Sequence, residues 1–423
     1  MRAFDRDVCS GGVTVNIKTA TIEIAAASER IRARLGEPHD PARAAHALAA
    51  VLARWREPRF AIRRSAVARI AVQLGFSAPL VDASLDALLE PFTIDALTAF
   101  AESAPQRREL LGFIMAGNAP GAGLHEIVIA LIAGAGVAIK TATAEPHFYA
   151  HLKQSIAEFD AGLSARIEVF NWGREDRDLT AALAAAVDAI VAYGDDATIE
   201  AIGGVRTIGF GSKLSGAIVT GEALRESSVR DAAAGIVRDV TLFEQLGCLS
   251  PHHVFVEDRS GRAARYFAHA MVDEIAALSV SMPAPDKMML EDAAALRRVR
   301  EIARWRELGE EAIELFEGPR LEWAVIYDRD ASFRPSPGFR TVSVSPFRDR
   351  EDLLARLAPA AGRLEAFSIA GRRADRAVAL AKDLEALGVT YVAAPGAIQS
   401  PPLRWRHGGG IFLDTMMAPG AFP

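Results

Sequence analysis

From residue 109 onward short apolar runs alternate with amphipathic helical stretches, and no other feature restricts the fold as strongly. LLGFIMAG (110–117), GVAIK (136–140), RIEVFNW (166–172) and DAIVAYG (188–194) read as strands, with helical segments near 123–133, 147–160 and 178–187. This alternation predicts a mostly parallel sheet covered by helices on both faces. Ligands of such sheets bind at the carboxyl ends of the strands, so residues just after each strand are the first candidates for chemistry. A second run begins after about residue 215. Its strands are AIVTG, HVFVED, LEWAVIYD, TVSVSPF, EAFSIAG and VTYVAA, with helices near 223–246, 262–280, 286–307 and 373–386.

Ahead of the first strand, residues 20–108 are helical in pattern, with ARAAHALAAVLARW and APLVDASLDALLEPF spacing apolar residues by three and four. DASFRPSPGFR (330–340) is rich in turn formers and reads as a surface loop. The tail after residue 400 shows no periodicity and little helix potential.

Net charge is −6, with arginines interleaved among acids, which argues against nucleic acid as a partner because phosphate binding needs a basic surface. The longest apolar stretch, Ile127 to Ile139, is 13 residues and contains Gly134 and Gly136, too short to cross a bilayer. No integral membrane association is expected. MRAFDRDVCSGG lacks the apolar core of an export signal. Two cysteines so far apart, Cys9 and Cys248, make neither a disulfide framework nor a metal-ligand cluster, and fit a reducing cytoplasmic setting.

Four segments offer chemistry. In GFIMAGNAPGAGLHE the third glycine of a dinucleotide fingerprint is missing, so that motif fails. Asn118 could instead aim its amide into a cleft as an oxyanion donor, although Asn before Ala-Pro is more often a turn residue satisfying its own backbone. Lys140 ends an apolar strand and could reach a ribose or phosphate, or simply snorkel. In VAYGDDATIE, Gly194 precedes an acidic first helical turn, where Asp195 is a natural N-cap and the acids would repel a pyrophosphate. In DVTLFEQLGCLSPHHVFVED a helix ends at Gly247 and Cys248 follows in a turn that presents it. Backbone N–H groups, His252 or His253 could raise its thiolate fraction. The competing readings are a small buried hydrophobe for Cys248 and turn residues for the histidines.

MAGNAPG, VAIKTAT, IVAYGDDATIEAI, GFGSKLS and LFEQLGCLSP occur together in that order. On these landmarks the sequence resembles the acyl-CoA reductases of the bioluminescence fatty-acid reductase type, within the aldehyde dehydrogenase superfamily, over roughly residues 60 to 415. The resemblance implies an α/β, aldehyde-dehydrogenase-like fold: two Rossmann-like α/β domains with a helical N-terminal segment. On that expectation residues 1–108 form the helical segment of the cofactor domain, and 109–215 the nicotinamide-binding domain. Residues 216–400 form the catalytic domain and 401–423 a tail.

The resemblance also implies roles. Cys248 matches the nucleophile that becomes acylated, and Asn118 matches the amide that holds the oxyanion together with the Cys248 backbone N–H. Lys140 matches the lysine that binds the adenosine ribose or its phosphate, Gly194 lies near the pyrophosphate, and Gly211 and Lys213 end the cofactor domain. Gly209 stands where aldehyde-oxidising relatives carry a glutamate base, so an acyl-enzyme would persist long enough to accept a hydride. Thr143 stands where NAD-preferring relatives often carry an acid, which favours NADPH, with NADH the second choice. The expected activity is reduction of an acyl-CoA or acyl-carrier thioester to the aldehyde by a homo-oligomer. The alternatives are an acylating aldehyde dehydrogenase running oxidatively and an acyl-transfer protein without redox chemistry.

Overall fold

The computed structural model describes residues 7–10, 13–202, 206–224, 226–309, 312–371 and 373–418. The chain divides into two compact units. The first takes the chain up to Leu74, then Leu89–Ser212 and Pro402 onward; the second takes Gly75–Leu88 and Lys213–Pro401.

The first unit opens with two short antiparallel strands, β1 (Asp7–Ser10) and β2 (Val13–Asn16). Its main sheet contains, among the described residues, β3 (Leu110–Ile114), β4 (Gly136–Thr141), β5 (Ile167–Asn171), β6 (Ala189–Tyr193) and β7 (Thr207–Phe210). The order is β5-β4-β3-β6-β7 and every pair is parallel. The chain therefore builds outward from β3 on one side and returns to the other side at β6. This doubly wound order places its switch point between β3 and β6. β3, β4 and β6 are buried along their whole length, as strands covered on both faces must be.

Helices supply that cover for reasons visible in their sequences. Helix Ile17–Leu35 buries Ile24, Ala27, Ile31 and Leu35 along one stripe. It rests so close to the sheet that a Cβ on Gly136 would lie 2.3 Å from Ile31 Cγ2, so only glycine fits there. Helix Pro41–Trp55 starts where the Asp40 carboxylate accepts the amides of Ala42 and Arg43, with proline in its first turn.

The second unit holds β8 (Leu214–Val219), β9 (Pro251–Glu257), β10 (Ile313–Glu317), β11 (Ala324–Asp328), β12 (Thr341–Phe347), β13 (Leu364–Ala370) and β14 (Tyr391–Ala393). Their order is β10-β11-β12-β9-β8-β13-β14, parallel except for the β10–β11 pair. One face sets Val219, Val254, Val256, Val342 and Val344 against helices Glu226–Thr241 and Arg262–Ser281. The other sets Ile218, Phe255, Phe347, Phe367 and Ile369 against helices Arg350–Leu357 and Ala374–Ala386.

The structure departs from the sequence-based expectations at four places. Helix Ala78–Leu89 falls, but for its last residue, in the second unit rather than with the first sheet. It is fastened there by hydrogen bonds from Phe243 N to Ser84 Oγ, 3.0 Å, and from Ser400 Oγ to the Ala87 carbonyl, 2.9 Å. The tail joins the first unit and forms helix Ile411–Met417, whose last carbonyls are collected by the buried Arg107 guanidinium. Residues 330–340 form a loop that lies only partly on the surface: Asp330, Arg334 and Pro335 are exposed, while Phe333, Phe339 and Arg340 are buried. β7 and β10, whose polar residues break the apolar run, add an edge strand to each sheet.

Candidate active site

In the second unit, helix Glu226–Thr241 runs into a tight turn at Leu242–Gln245 and the chain then reaches Gly247 and Cys248 before β9 begins. Cys248 therefore precedes its strand and sits at the amino edge of the sheet, half-buried. Its backbone is pinned on both sides. Ser215 Oγ donates to the Cys248 carbonyl at 2.6 Å and accepts the Ala366 amide at 3.1 Å, tying the turn to β8 and β13. The Ser250 amide closes the turn onto the Gly247 carbonyl at 3.0 Å.

A second support comes from the segment after β14. Gln399 Nε2 donates to Ser250 Oγ at 3.1 Å and to the Asp239 carbonyl at 2.9 Å. The Asp239 carboxylate accepts the Gly396 amide at 2.7 Å, while its other oxygen is buried with no hydrogen-bond partner among the described residues. Burial pushes the Asp239 carboxyl up to about 7, against the smaller opposing pull of the Gly396 amide.

The two histidines after Cys248 open strand β9 rather than forming a turn. Burial pushes His252 down to about 4 and His253 to about 3. Both are neutral near neutral pH, so neither supplies positive charge to the thiol. His252 Nδ1 accepts the Ser336 amide at 3.0 Å, and the His253 ring stacks on Phe255 at 4.2 Å between centroids. Their work is packing.

At the carboxyl edge of the same sheet, at the switch point between β8 and β13, the crevice position is filled with charge. Arg376 pairs with Glu222 at 3.2 Å and with Glu257, whose carboxylate also accepts the Gly221 amide at 2.7 Å.

In the first unit, Asn118 follows β3 in a turn beside the switch point and is exposed. The turn lies tight against its neighbours: a Cβ on Gly117 would meet Ala142 Cβ and Ala144 Cβ at 2.9 Å. Tyr149 donates its hydroxyl to the Ala122 carbonyl, and Gly123, at φ 81°, leaves room for the Tyr193 ring. The next helix, Leu124–Ala133, carries buried Glu126 in its first turn, 2.9 Å from His407 Nδ1 of the tail. His407 is stacked between Phe210, 4.1 Å away, and Trp405, 4.2 Å away. Burial would raise the Glu126 carboxyl, but His407 and His125 outweigh it and hold the group below the usual range. Local pattern does not mark these residues, because their partners lie far apart in the chain.

Lys140 is the penultimate residue of β4 and lies opposite Ile114 in β3. It is buried, and that burial lowers its ammonium pKa against the raising effect of Glu175 and Asp176. Among the described residues the ammonium makes no hydrogen bond or close ion pair, and the two carboxylates act on it from a distance. Thr143 is exposed beyond the strand and its carbonyl accepts Gln73 Nε2 at 3.1 Å.

Gly194 follows β6, and a Cβ there would make an ordinary 3.5 Å contact with Thr198, so sterics alone do not demand glycine. Asp195 caps the short helix Asp196–Glu200 by accepting the Thr198 amide at 2.7 Å. On β7, a Cβ at Gly209 would lie 2.5 Å from Ile199 Cγ2, and one at Gly211 would lie 2.2 Å from Asp196 Oδ1. Position 209 thus offers neither a carboxylate nor ready space for one. Lys213 falls in the second unit and donates to the Gly362 carbonyl at 2.9 Å. The structure brings Asn118, Lys140, Thr143, Gly194 and Gly211 onto the carboxyl side of the first sheet, and carries Cys248 on the second unit.

Residues 46–418 match the family model described as Acyl-CoA reductase (LuxC). The chain is 27% identical over 150 residues to the long-chain acyl-protein thioester reductase 2 of Photobacterium leiognathi, covering 34% of this chain and 30% of that protein. It is 23% identical over 249 residues to the long-chain acyl-protein thioester reductase of Aliivibrio fischeri, covering 57% of this chain and 49% of the other. The matched part thus spans at most about half the length of those curated relatives. Among solved structures, the Mycobacterium tuberculosis aldehyde dehydrogenase complexed with NAD+ superposes with a TM-score of 0.65 at 17% identity, covering 88% of this chain and 82% of that one. A NAD-dependent benzaldehyde dehydrogenase from Corynebacterium glutamicum gives 0.66 at 16% identity, covering 90% and 87%. The fold is aldehyde-dehydrogenase-like.

Proposed function

Because this chain belongs to the acyl-CoA reductase (LuxC) family, we infer that it reduces an acyl thioester to the aldehyde through an acyl-enzyme on Cys248, with NADPH as reductant. The reading rests above all on the pairing of a pinned, half-buried Cys248 with glycine at position 209.

The Cys248 thiolate attacks the thioester carbonyl carbon and forms a new C–S bond, while the carbonyl π pair moves onto oxygen. The Asn118 side-chain amide and the Cys248 backbone N–H serve as donors to that oxyanion. Its collapse expels the donor thiolate, which takes up a proton, and leaves the acyl group on Cys248. Without a carboxylate at position 209 to activate water, the acyl-enzyme resists hydrolysis. A nicotinamide held by Lys140 and the cofactor rim would supply a hydride, that is two electrons, to the acyl carbon. Collapse of the resulting hemithioacetal oxyanion, with its lone pair re-forming the carbonyl as the C–S bond breaks, then frees the aldehyde and regenerates the Cys248 thiolate.

Lys140 fits the adenosine ribose or its 2′-phosphate: its side chain is buried at the carboxyl end of β4 and, among the described residues, forms no ion pair, Glu175 and Asp176 acting on it only from a distance. Thr143 brings no negative charge toward a 2′-phosphate, which favours NADPH over NADH. Gly194 and Gly211 complete the cofactor rim. Asp195 is already committed to capping a helix, so it does not add a donor for the pyrophosphate. The acyl donor is CoA or a carrier protein, and the working form is a cytoplasmic homo-oligomer.

Purified protein mixed with NADPH and a panel of acyl-CoAs and acyl-carrier thioesters tests this directly. Equal amounts of aldehyde formed and NADPH consumed support it. Carboxylic acid as the product, or acylation of Cys248 without NADPH consumption, overturns it, the second outcome in favour of acyl transfer.

A further inference from the structure

The turn that leads to Cys248 is locked to a second turn far along the chain, and we propose that the Glu244–Arg340 pair joining them positions the thiol for attack. This rests on the reading of Cys248 as nucleophile. Three successive residues before the cysteine, Phe243, Glu244 and Gln245, have φ of 57°, 51° and 60°. Facing them, Gly338, Phe339 and Arg340 have φ of 84°, 50° and 56°. Left-handed backbone at several non-glycine residues persists only where surrounding contacts over-determine it, and such strain gathers at functional sites.

The contacts that do so are all in the second unit. Phe339 N donates to the Glu244 carbonyl at 2.8 Å. Arg340 grips the Glu244 carboxylate with both arms of its fork, Nε to Oε2 at 2.9 Å and Nη2 to Oε1, and both side chains are fully buried. Arg340 Nη1 continues to the Met282 carbonyl at 2.7 Å, so the guanidinium cannot rotate. Gln245 then spans the cysteine turn. Its amide donates to the Pro251 carbonyl at 2.7 Å and to the Thr341 carbonyl at 2.9 Å, and accepts the Thr341 amide at 2.7 Å. The two ends of the segment that contains Cys248 are thereby held to one side chain.

A purely structural role accounts poorly for this arrangement. Well-packed apolar side chains of similar volume usually stabilise a fold at least as well as a buried ion pair. What the planar Arg–carboxylate fork adds is direction. Glu244 and Arg340 are positioning residues, acting on the carbonyl carbon of the substrate only through the aim of Cys248.

The test uses the full chain with Cys9→Ser, so that one thiol reports. Glu244→Gln, Arg340→Lys and Gly338→Ala are compared with the parent for the alkylation rate of Cys248 by iodoacetamide across pH 6 to 9. NADPH affinity, kcat and KM for an acyl-CoA, and thermal unfolding are followed alongside. Gly338→Ala deletes no polar contact but strains the turn directly, since a Cβ added at φ 84° would lie 2.7 Å from Leu246 Cδ2. In folded variants kcat is expected to fall up to about 100-fold, the cost of a misplaced reacting group, with KM and NADPH affinity within about threefold. Alkylation is expected to slow or change its pH midpoint in parallel. Glu244→Asp, which keeps the charge, should recover part of the loss. Alkylation and kcat within about twofold of the parent in any folded member overturn the proposal, and Gly338→Ala decides if the pair variants do not fold. Alkylation needs no substrate. Failure of the parent to make aldehyde would therefore count against the proposed reaction and not against the latch.

Discussion

The two units hold their candidate residues at opposite edges of otherwise similar sheets. The first exposes Asn118 at the carboxyl edge, beside the β3–β6 switch point, where a doubly wound sheet leaves an open crevice. The second carries Cys248 at the amino edge, ahead of β9, and fills its own carboxyl edge with Arg376, Glu222 and Glu257. The rule that chemistry gathers after strands describes where ligands find room, and the first unit's candidate residues lie there. The proposed nucleophile, Cys248, lies instead where its backbone can be fixed. A turn between a helix end and a strand start can be pinned from both sides, as Ser215 and Ser250 pin this one.

The comparison breaks most sharply at the thiol. Cys248→Ala should lower aldehyde formation by at least about 1,000-fold and abolish the acyl adduct seen by intact mass, with NADPH affinity unchanged. Residual turnover near the parent rate would remove the second unit's turn from the chemistry. Asn118→Ala should cost about 100- to 1,000-fold in kcat with acylation still detectable, the usual loss for one oxyanion donor. An unimpaired variant would leave the first unit with cofactor binding alone. Lys140→Met should weaken NADPH roughly 10- to 100-fold, and NADH less, by titration of reduced-nicotinamide fluorescence. Equal losses for the two would mean that the lysine does not touch a 2′-phosphate.

Two smaller effects separate support from chemistry in the second unit. Asp239 binds its proton more tightly folded than unfolded, so the folded state holds an extra proton between about pH 4 and about pH 7. Its contribution to stability is lost as pH rises through that window, by up to a few kcal/mol, while the buried neutral His252 and His253 contribute in the opposite sense. In denaturant titrations the parent should therefore lose more stability, or gain less, than Asp239→Asn between those pH values, and parallel profiles would refute the assignment. Arg376→Met, at the filled carboxyl edge, should cost about 1 kcal/mol of stability because the pair is partly exposed, and leave kcat within about twofold. A large loss of activity would mean that this edge is also part of the site.

Most strands of both sheets are legible in the sequence because they are continuous apolar runs between turn formers, as LLGFI and AIVAY show. β7 and β10 are not, because edge strands need one apolar face at most and TIGF and IELFE each carry exposed or polar positions. Asn118, Lys140 and Cys248 could be singled out from local pattern, since each ends or precedes an apolar strand. Their supports could not. Arg340 lies in a stretch whose Pro, Ser and Gly content reads as solvent-exposed, and no residue type marks three left-handed positions in Phe-Glu-Gln. His252 and His253 looked like turn residues beside a thiol because sequence shows adjacency but not burial.

The tail helix Ile411–Met417, clasped by Arg107, has a consequence for how the protein is made. The first unit needs residues from before and after the main span of the second, while the second is complete once Pro401 has been synthesised, its early helix having waited since residue 88. Emerging from the ribosome, the chain can close its second unit before its first. The β3–β7 sheet lacks this covering helix until residues 411–417 have been synthesised, and until then its apolar flank is a surface for chaperones to shield.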